Sequence, residues 1–217
     1  MYMPSTQGSA KNLTREAVVD AAAAILAESG YAGVNMRAIA DRCGVATMTL
    51  YRHVRTKEDV LGALVDRMLD GLELPPRGGG PDWRQDIATV LVSMHELLVE
   101  HPELAEIAAR QHFNSLAAYR GVEAVLDALR RGGLEGDAAA SAFAALVAFA
   151  RGFTLQQVTS SSPSELGQRL LLLESLPADE FPNVTNVGTK LLVRDSDRHF
   201  EAGLRLLLQG IAAEGRV

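Results

Sequence analysis

Residues 34–57 read VNMRAIADRCGVATMTLYRHVRTK, and this stretch decides the fold. Val34, Ile39, Ala40, Cys43 and Val45 supply a small apolar face, and Gly44 can take the positive φ that a tight helix-to-helix turn requires. Thr47 is expected to cap a second helix, in which Leu50 and Val54 fall at i and i+4 and point inward. That leaves Thr47, Met48, Thr49, Tyr51, Arg52 and His53 on or near the outer surface. This is the layout of a helix-turn-helix, whose second helix lies in the DNA major groove. An ordinary αα-hairpin with a polar outer face fits the same pattern.

Working outward, the tail 1–12 lacks periodicity and is expected to be disordered, with Lys11 available to a phosphate. A first helix is expected over about 15–29, capped by Thr14, with Val18, Ala21, Ala22, Ile25 and Leu26 as its inward stripe and Gly30 as its stop. Downstream, Thr56-Lys57-Glu58-Asp59 resembles a capping box with Asp in place of Glu or Gln, and opens a helix to about Leu72. In it Val60, Leu64, Met68 and Leu72 repeat on one face and Leu61, Val65 and Leu69 on the next, a stripe wide enough to serve two neighbours. The resulting domains are 13–57 around the helix-turn-helix, 58–72 as a connecting helix, 73–82 as a Pro- and Gly-rich linker, and 83–217 as a second helical domain.

Charge is distributed to match. The 217 residues carry a net charge of −6, yet residues 1–57 hold seven basic side chains (Lys11, Arg15, Arg37, Arg42, Arg52, Arg55, Lys57) against four acidic ones (Glu16, Asp20, Glu28, Asp41). A positive head on an acidic body can meet phosphates locally while the body stays clear. With 47% hydrophobic and 5% aromatic residues and no strand pattern, the composition points to an all-α protein. The first ten residues lack the order of a signal peptide, and a single cysteine allows no internal disulfide, which fits a reducing cytoplasm. The most apolar run, 138–150, falls short of the ~18 residues of a spanning helix, so no membrane partner is expected.

The order and spacing over residues 13–72, together with the run Leu50-Tyr51-Arg52-His53-Val54 followed by Lys57, resemble the TetR family of one-component transcriptional regulators. Beyond residue 82 the likeness is carried by Trp83, by Gly152-Phe153-Thr154-Leu155-Gln156-Gln157 and by His199-Phe200-Glu201-Ala202-Gly203-Leu204, which are similar to the tetracycline-repressor-like branch. The resemblance implies a three-helix DNA-binding head and a helical ligand-binding and dimerisation domain. It also implies operator contact by Lys11, Asn35, Met36, Arg37, Thr47, Met48, Thr49, Tyr51, Arg52, His53 and Lys57 of a homodimer on double-stranded DNA. In tetracycline repressors a histidine and an acidic residue hold a magnesium-drug chelate. Their places here hold Ala108 and Gln156, which cannot do so, unless a shift of a residue or two brings His112 into register. No metal or cofactor is therefore expected, and the effector is not magnesium-tetracycline.

In the second domain, helices are expected over about 83–100 (capped by Asp82), 103–111, 119–131, 138–158, 164–174 and 197–213. The helix at 138–158 is apolar nearly all round and should be buried on most sides. Val90, Met94, Phe113, Phe149 and Phe153 could wall a small-molecule pocket, with His95, Arg110, Gln111, His112, Asn114, Arg151 and Gln156 as polar contacts. Each could equally be ordinary core or surface. No helical His-x-x-x-His or Glu-x-x-His spacing, phosphate loop or nucleophile elbow occurs, which argues against an enzyme. Cys43 reads as a small core hydrophobe, with redox sensing as its alternative. The sequence thus points to a cytoplasmic, homodimeric regulator, more often a repressor, released by a small-molecule effector. The alternative is a helical ligand-binding or interaction protein without operator binding.

Overall fold

The computed structural model describes residues 13–110, 115–159, 163–192 and 196–215. Every regular element among them is helical, and the chain forms two compact units, one up to Met68 and one from Leu69. The expected tail 1–12, with Lys11, lies outside the described residues.

The first unit begins with α1 (Arg15–Gly33), whose first turn is closed by the Thr14 hydroxyl accepting from the Ala17 amide at 3.2 Å. Val18, Ala21, Ala22, Ile25 and Leu26 are buried, as the spacing requires. Gly30 leaves the helical path at φ 65°, a region open to glycine, so the regular helix stops there and a short turn follows. α2 (Met36–Cys43) is capped by Asn35 and ends at Gly44, which takes φ 69° and ψ 32°. α3 (Thr47–Leu50) is a single turn. Thr47 does not cap it. Ala46 occupies the cap with extended backbone and no side-chain bond, so Thr47 is the first helical residue. α4 (Lys57–Leu69) opens on the expected reciprocal box: Asp59 Oδ2 accepts from the Arg55 and Thr56 amides, and Thr56 Oγ1 accepts from Asp59 N. It stops three residues short of Leu72, where a tight turn brings the Leu72 amide onto the Leu69 carbonyl.

The second unit contains α5 (Trp83–Glu100), α6 (Pro102–Arg110), α7 (Leu116–Arg131), α8 (Gly136–Val158), α9 (Pro163–Glu174), α10 (Pro182–Val187) with a 3₁₀ turn at Gly188–Leu191, and α11 (Ser196–Glu214). α7 starts three residues earlier than expected because Ser115 caps it, accepting from Ala118 N. Its core joins Ile87 and Leu91 of α5, Leu129 of α7, Leu146 of α8, and Phe200 and Leu204 of α11. α8 departs from expectation. It is long and apolar enough to cross a membrane by length and composition, but it buries one stripe only: Ala139, Ala142, Leu146, Ala150 and Thr154. Its opposite face, with Ala144, Ala145, Ala148 and Gly152, is exposed. Those side chains are too small to reach a neighbour within the chain, so apolar composition overstated burial.

The linker is pinned. Arg131 pairs with the buried Asp86 at 2.5 Å and with Asp127 at 3.1 Å, and donates to the Gly80 carbonyl at 3.1 Å. Asp86 also accepts from the Gly80 amide at 2.8 Å. At Gly79, with φ 78°, a Cβ would sit 2.1 Å from the guanidinium, so only glycine lets the loop close over Arg131. Arg131→Met keeps the aliphatic stem and strips the buried carboxylate of its cation. The expected loss lies toward the lower end of roughly 3–5 kcal/mol, because Asp86 retains its amide donor. A lower denaturation midpoint for the second unit is the readout.

Candidate nucleic-acid interface and ligand site

The head exposes what a reader helix needs. Leu50 and Val54 are buried, which fixes the roll of the α3 turn, and Met48 (77% exposed) and Tyr51 (48%) stand out from it. Arg37 and Arg52 are also exposed; Thr47, Thr49, Met36 and His53 are half-buried beside them. The Asn35 carboxamide is engaged locally, its Oδ1 capping α2 at Ala38 N (2.9 Å) and its Nδ2 donating to the Gly33 carbonyl. Lys57 is half-buried, donating to the Tyr31 carbonyl at 3.3 Å with its ammonium 4.1 Å from the Tyr31 ring centroid. That contact fixes the ammonium near the head's surface while leaving further donors, since an ammonium carries three. Two other head cations are committed internally. Arg42 makes a two-pronged pair with Glu28 at 2.7 and 2.6 Å, and Arg67 pairs with Asp20. No ion pair engages Arg37 or Arg52 among the described residues. Cys43 is half-buried with its thiol toward the Ala17 carbonyl, and burial pushes its pKa up, away from the thiolate that redox chemistry uses.

In the second unit the sequence-expected ligand residues separate into groups. Val90 is fully in the core and Met94 packs partly against it. His95, Phe149 and Phe153 do come together. Gln156 lies exposed on α8. Arg151 reaches instead to the Ala108 carbonyl of α6, and its burial lowers its pKa. Arg110 ends α6 with its side chain outside the described residues, as are Gln111, His112, Phe113 and Asn114.

His95 is the centre of what remains. It is 2% exposed, stacks on Phe200 at 4.0 Å and 6°, and meets Phe153 edge-on at 6.2 Å; Phe149 completes the aromatic set. Its Nδ1 lies 2.8 Å from the Thr154 hydroxyl. That hydroxyl also lies 2.7 Å from the Ala150 carbonyl, so it either donates there and accepts from His95 Nδ1–H or donates to Nδ1. Nε2 lies 3.5 Å from Asp197 Oδ1, too far for a good bond, and has no other hydrogen-bond partner among the described residues. Burial depresses the His95 pKa, against the opposing pull of the Asp197 and Glu96 carboxylates, so the ring favours the neutral form. Thr154, Gln157, Asp197 and Phe200 were missed as site residues. Thr154 alone gave a signal: it is the only polar residue in the otherwise aliphatic stripe of α8.

Two open clefts also lie in this unit. One, of about 700 Å³, runs between α5 and α11 over Ala88, Val92, Leu204 and Leu208; the other, of about 610 Å³, lies beside the linker and α7. Neither is lined by an expected ligand residue.

Comparison with known proteins accounts for both units. Residues 18–64 match the model for bacterial regulatory proteins of the tetR family, and residues 74–214 match that for the tetracyclin repressor-like C-terminal domain. The chain belongs to the TetR family. An HTH-type transcriptional regulator of Saccharopolyspora erythraea is 30% identical over 98% of this chain and 90% of its own length. The HTH-type transcriptional repressor DrrR1 of Streptomyces coeruleorubidus is 27% identical over 95% of this chain and 80% of its own. The TetR family protein ActR of Streptomyces coelicolor, solved in complex with actinorhodin, superposes with a TM-score of 0.85 at 28% identity, covering 94% of this chain and 97% of that one. This TetR-family chain is a transcriptional regulator, and its α2–turn–α3 segment is the helix-turn-helix.

The buried histidine carries a pH signature. An imidazole whose folded pKa lies below its unfolded one adds nothing above pH ~6.5, where both states are neutral. Stability is lost as pH falls through the unfolded value toward the folded one. Urea midpoints between about pH 5 and 8 should therefore drop on the acid side, and His95→Gln should flatten that drop.

Proposed function

We propose that this regulator is a cytoplasmic, homodimeric repressor that grips operator DNA through α2 and α3 and lets go when a small molecule occupies the second unit. The exposed tip of α3, rolled outward by buried Leu50 and Val54, is the observation that carries the DNA reading. Thr47, Thr49 and Arg52 are assigned to base edges, with Met48 touching thymine methyls. Asn35, Met36, Arg37, Tyr51, His53, Lys57 and the tail's Lys11 are assigned to the backbone and its flanks. A bidentate Arg–guanine contact discriminates by roughly 1–3 kcal/mol, so Arg52→Ala should relax sequence preference. Lys57→Ala should instead weaken all sequences alike and flatten the salt dependence. Gel shifts on the DNA flanking the gene read both effects. Intact operator preference in Arg52→Ala would mean that another side of α3 does the reading.

The dimer rests on the exposed faces of α8 and α11. Ala144, Ala145, Ala148 and Gly152 on one, and Leu206 (66% exposed), Gly210 and Ala213 on the other, let helix backbones approach closely. Two such helices from each of two chains make a four-helix bundle. The chain should sediment as a dimer at micromolar concentration, and Leu206→Glu should shift it to monomer. A wild-type monomer would overturn this assembly.

Repression is supported by the relative DrrR1, named a repressor, and binding of a small molecule by ActR, solved with actinorhodin bound. The switch requires only that the effector prefer the conformation that binds DNA poorly. A coupling of ~1–3 kcal/mol would change operator affinity ~5–150-fold.

A further inference from the structure

Lys57 stands at the first position of α4, where the helix dipole favours an acid, and Glu58 and Asp59 follow it in that turn. A cation there adds nothing to the helix, so the hold on its ammonium comes from outside α4. Tyr31, just past the bend at Gly30, supplies two partners. Its carbonyl accepts from Lys57 Nζ at 3.3 Å, and the ammonium lies over its ring, 4.1 Å from the centroid. The same carbonyl accepts from the Val34 amide at 3.3 Å, so the turn that closes α1 fixes its direction.

Both partners are neutral. A carbonyl and a ring face attract an ammonium through a dipole and a quadrupole, and they leave its charge uncancelled. Arg42 and Arg67 of the same head are instead paired with the carboxylates of Glu28 and Asp20. No carboxylate pairs with Lys57 among the described residues. With one hydrogen engaged by the carbonyl, two donors remain. The side chain is half-buried, which restricts its long stem while the charged end stays near the surface.

We propose that Tyr31 is a positioning residue for DNA affinity: it holds the Lys57 ammonium, still charged, where an operator phosphate meets it. The entropy of ordering that side chain is then lost on folding rather than on binding. Tyr31 itself touches no DNA. Its role rests on the phosphate contact proposed above for Lys57.

Affinity of the full chain is measured across a range of salt, on a duplex from the DNA flanking the gene and on a scrambled duplex of the same composition. Tyr31→Leu should weaken both by roughly two- to tenfold for each head bound, the cost of immobilising one long side chain. The slope of affinity against salt should stay at its wild-type value, because the phosphate contact still forms. Lys57→Ala should lower the slope as well, and on that background Tyr31→Leu should cost nothing more. Tyr31→Phe, which keeps the ring and the carbonyl, should restore wild-type affinity. Should Tyr31→Leu fail to fold, Tyr31→Met carries the same expectations. Wild-type affinity in Tyr31→Leu overturns the proposal, as does an equal loss on the Lys57→Ala background, or a Tyr31→Phe as weak as Tyr31→Leu. The two readings separate at Lys57→Ala. A wild-type slope there removes the phosphate contact itself, and a lowered slope with Tyr31→Leu unaffected removes the role of Tyr31 alone.

Discussion

Helix α8 can bury only one of its faces within a single chain, and the second unit is arranged around that constraint. Its 23 residues present Ala139, Ala142, Leu146, Ala150 and Thr154 to α5, α7 and α11. Small residues at four of those five places let the neighbouring helices pack closely. Phe200, Leu204 and Leu91 fill the space the alanines leave. At the end of the stripe the aliphatic series gives way to Thr154, and the polar cluster of His95, Gln157 and Asp197 gathers there. The outer face, equally apolar but unburied, is what the proposed dimer covers. One helix therefore links the core, the polar cluster and the proposed assembly.

The head obeys a different economy. It is small, and three of its four helix starts are closed by a specific side-chain bond. Thr14, Asn35 and the Thr56–Asp59 pair each close a helix start, and Gly44 supplies the left-handed turn. Internal pairing of Arg42 with Glu28 and of Arg67 with Asp20 sorts the cations. Arg37 and Arg52 are exposed and in no ion pair among the described residues, which suits the DNA contact proposed for them. An acidic chain can bind DNA because charge is placed locally rather than summed.

The sequence made the head legible because its signals are local. Cap residues, Gly44, and the i, i+4 pair Leu50 and Val54 act within a turn or two; the cap of α3 shifted from Thr47 to Ala46, and α4 ended at Leu69 rather than Leu72. The second unit was legible in helix order but not in burial. Hydropathy reads Ala as core, yet Ala144, Ala145 and Ala148 face outward, because what an alanine touches is decided by helices far away in sequence. The polar cluster was legible in part. His95, Phe149 and Phe153 stood out as polar or aromatic residues on apolar helices. Asp197 and Gln157 did not, for the cluster joins α5, α8 and α11 across separations of 59 and 40 residues, which no local period reports.

The account rests on paired reader helices carried by a two-fold dimer. A hydroxyl-radical footprint of the full-length protein on the DNA flanking its gene tests that most directly. The expected pattern is two symmetric protected patches on one face of the duplex, centred about 34–36 Å apart or slightly more, each spanning one major groove. A single unpaired patch, or protection that does not depend on sequence, would contradict it.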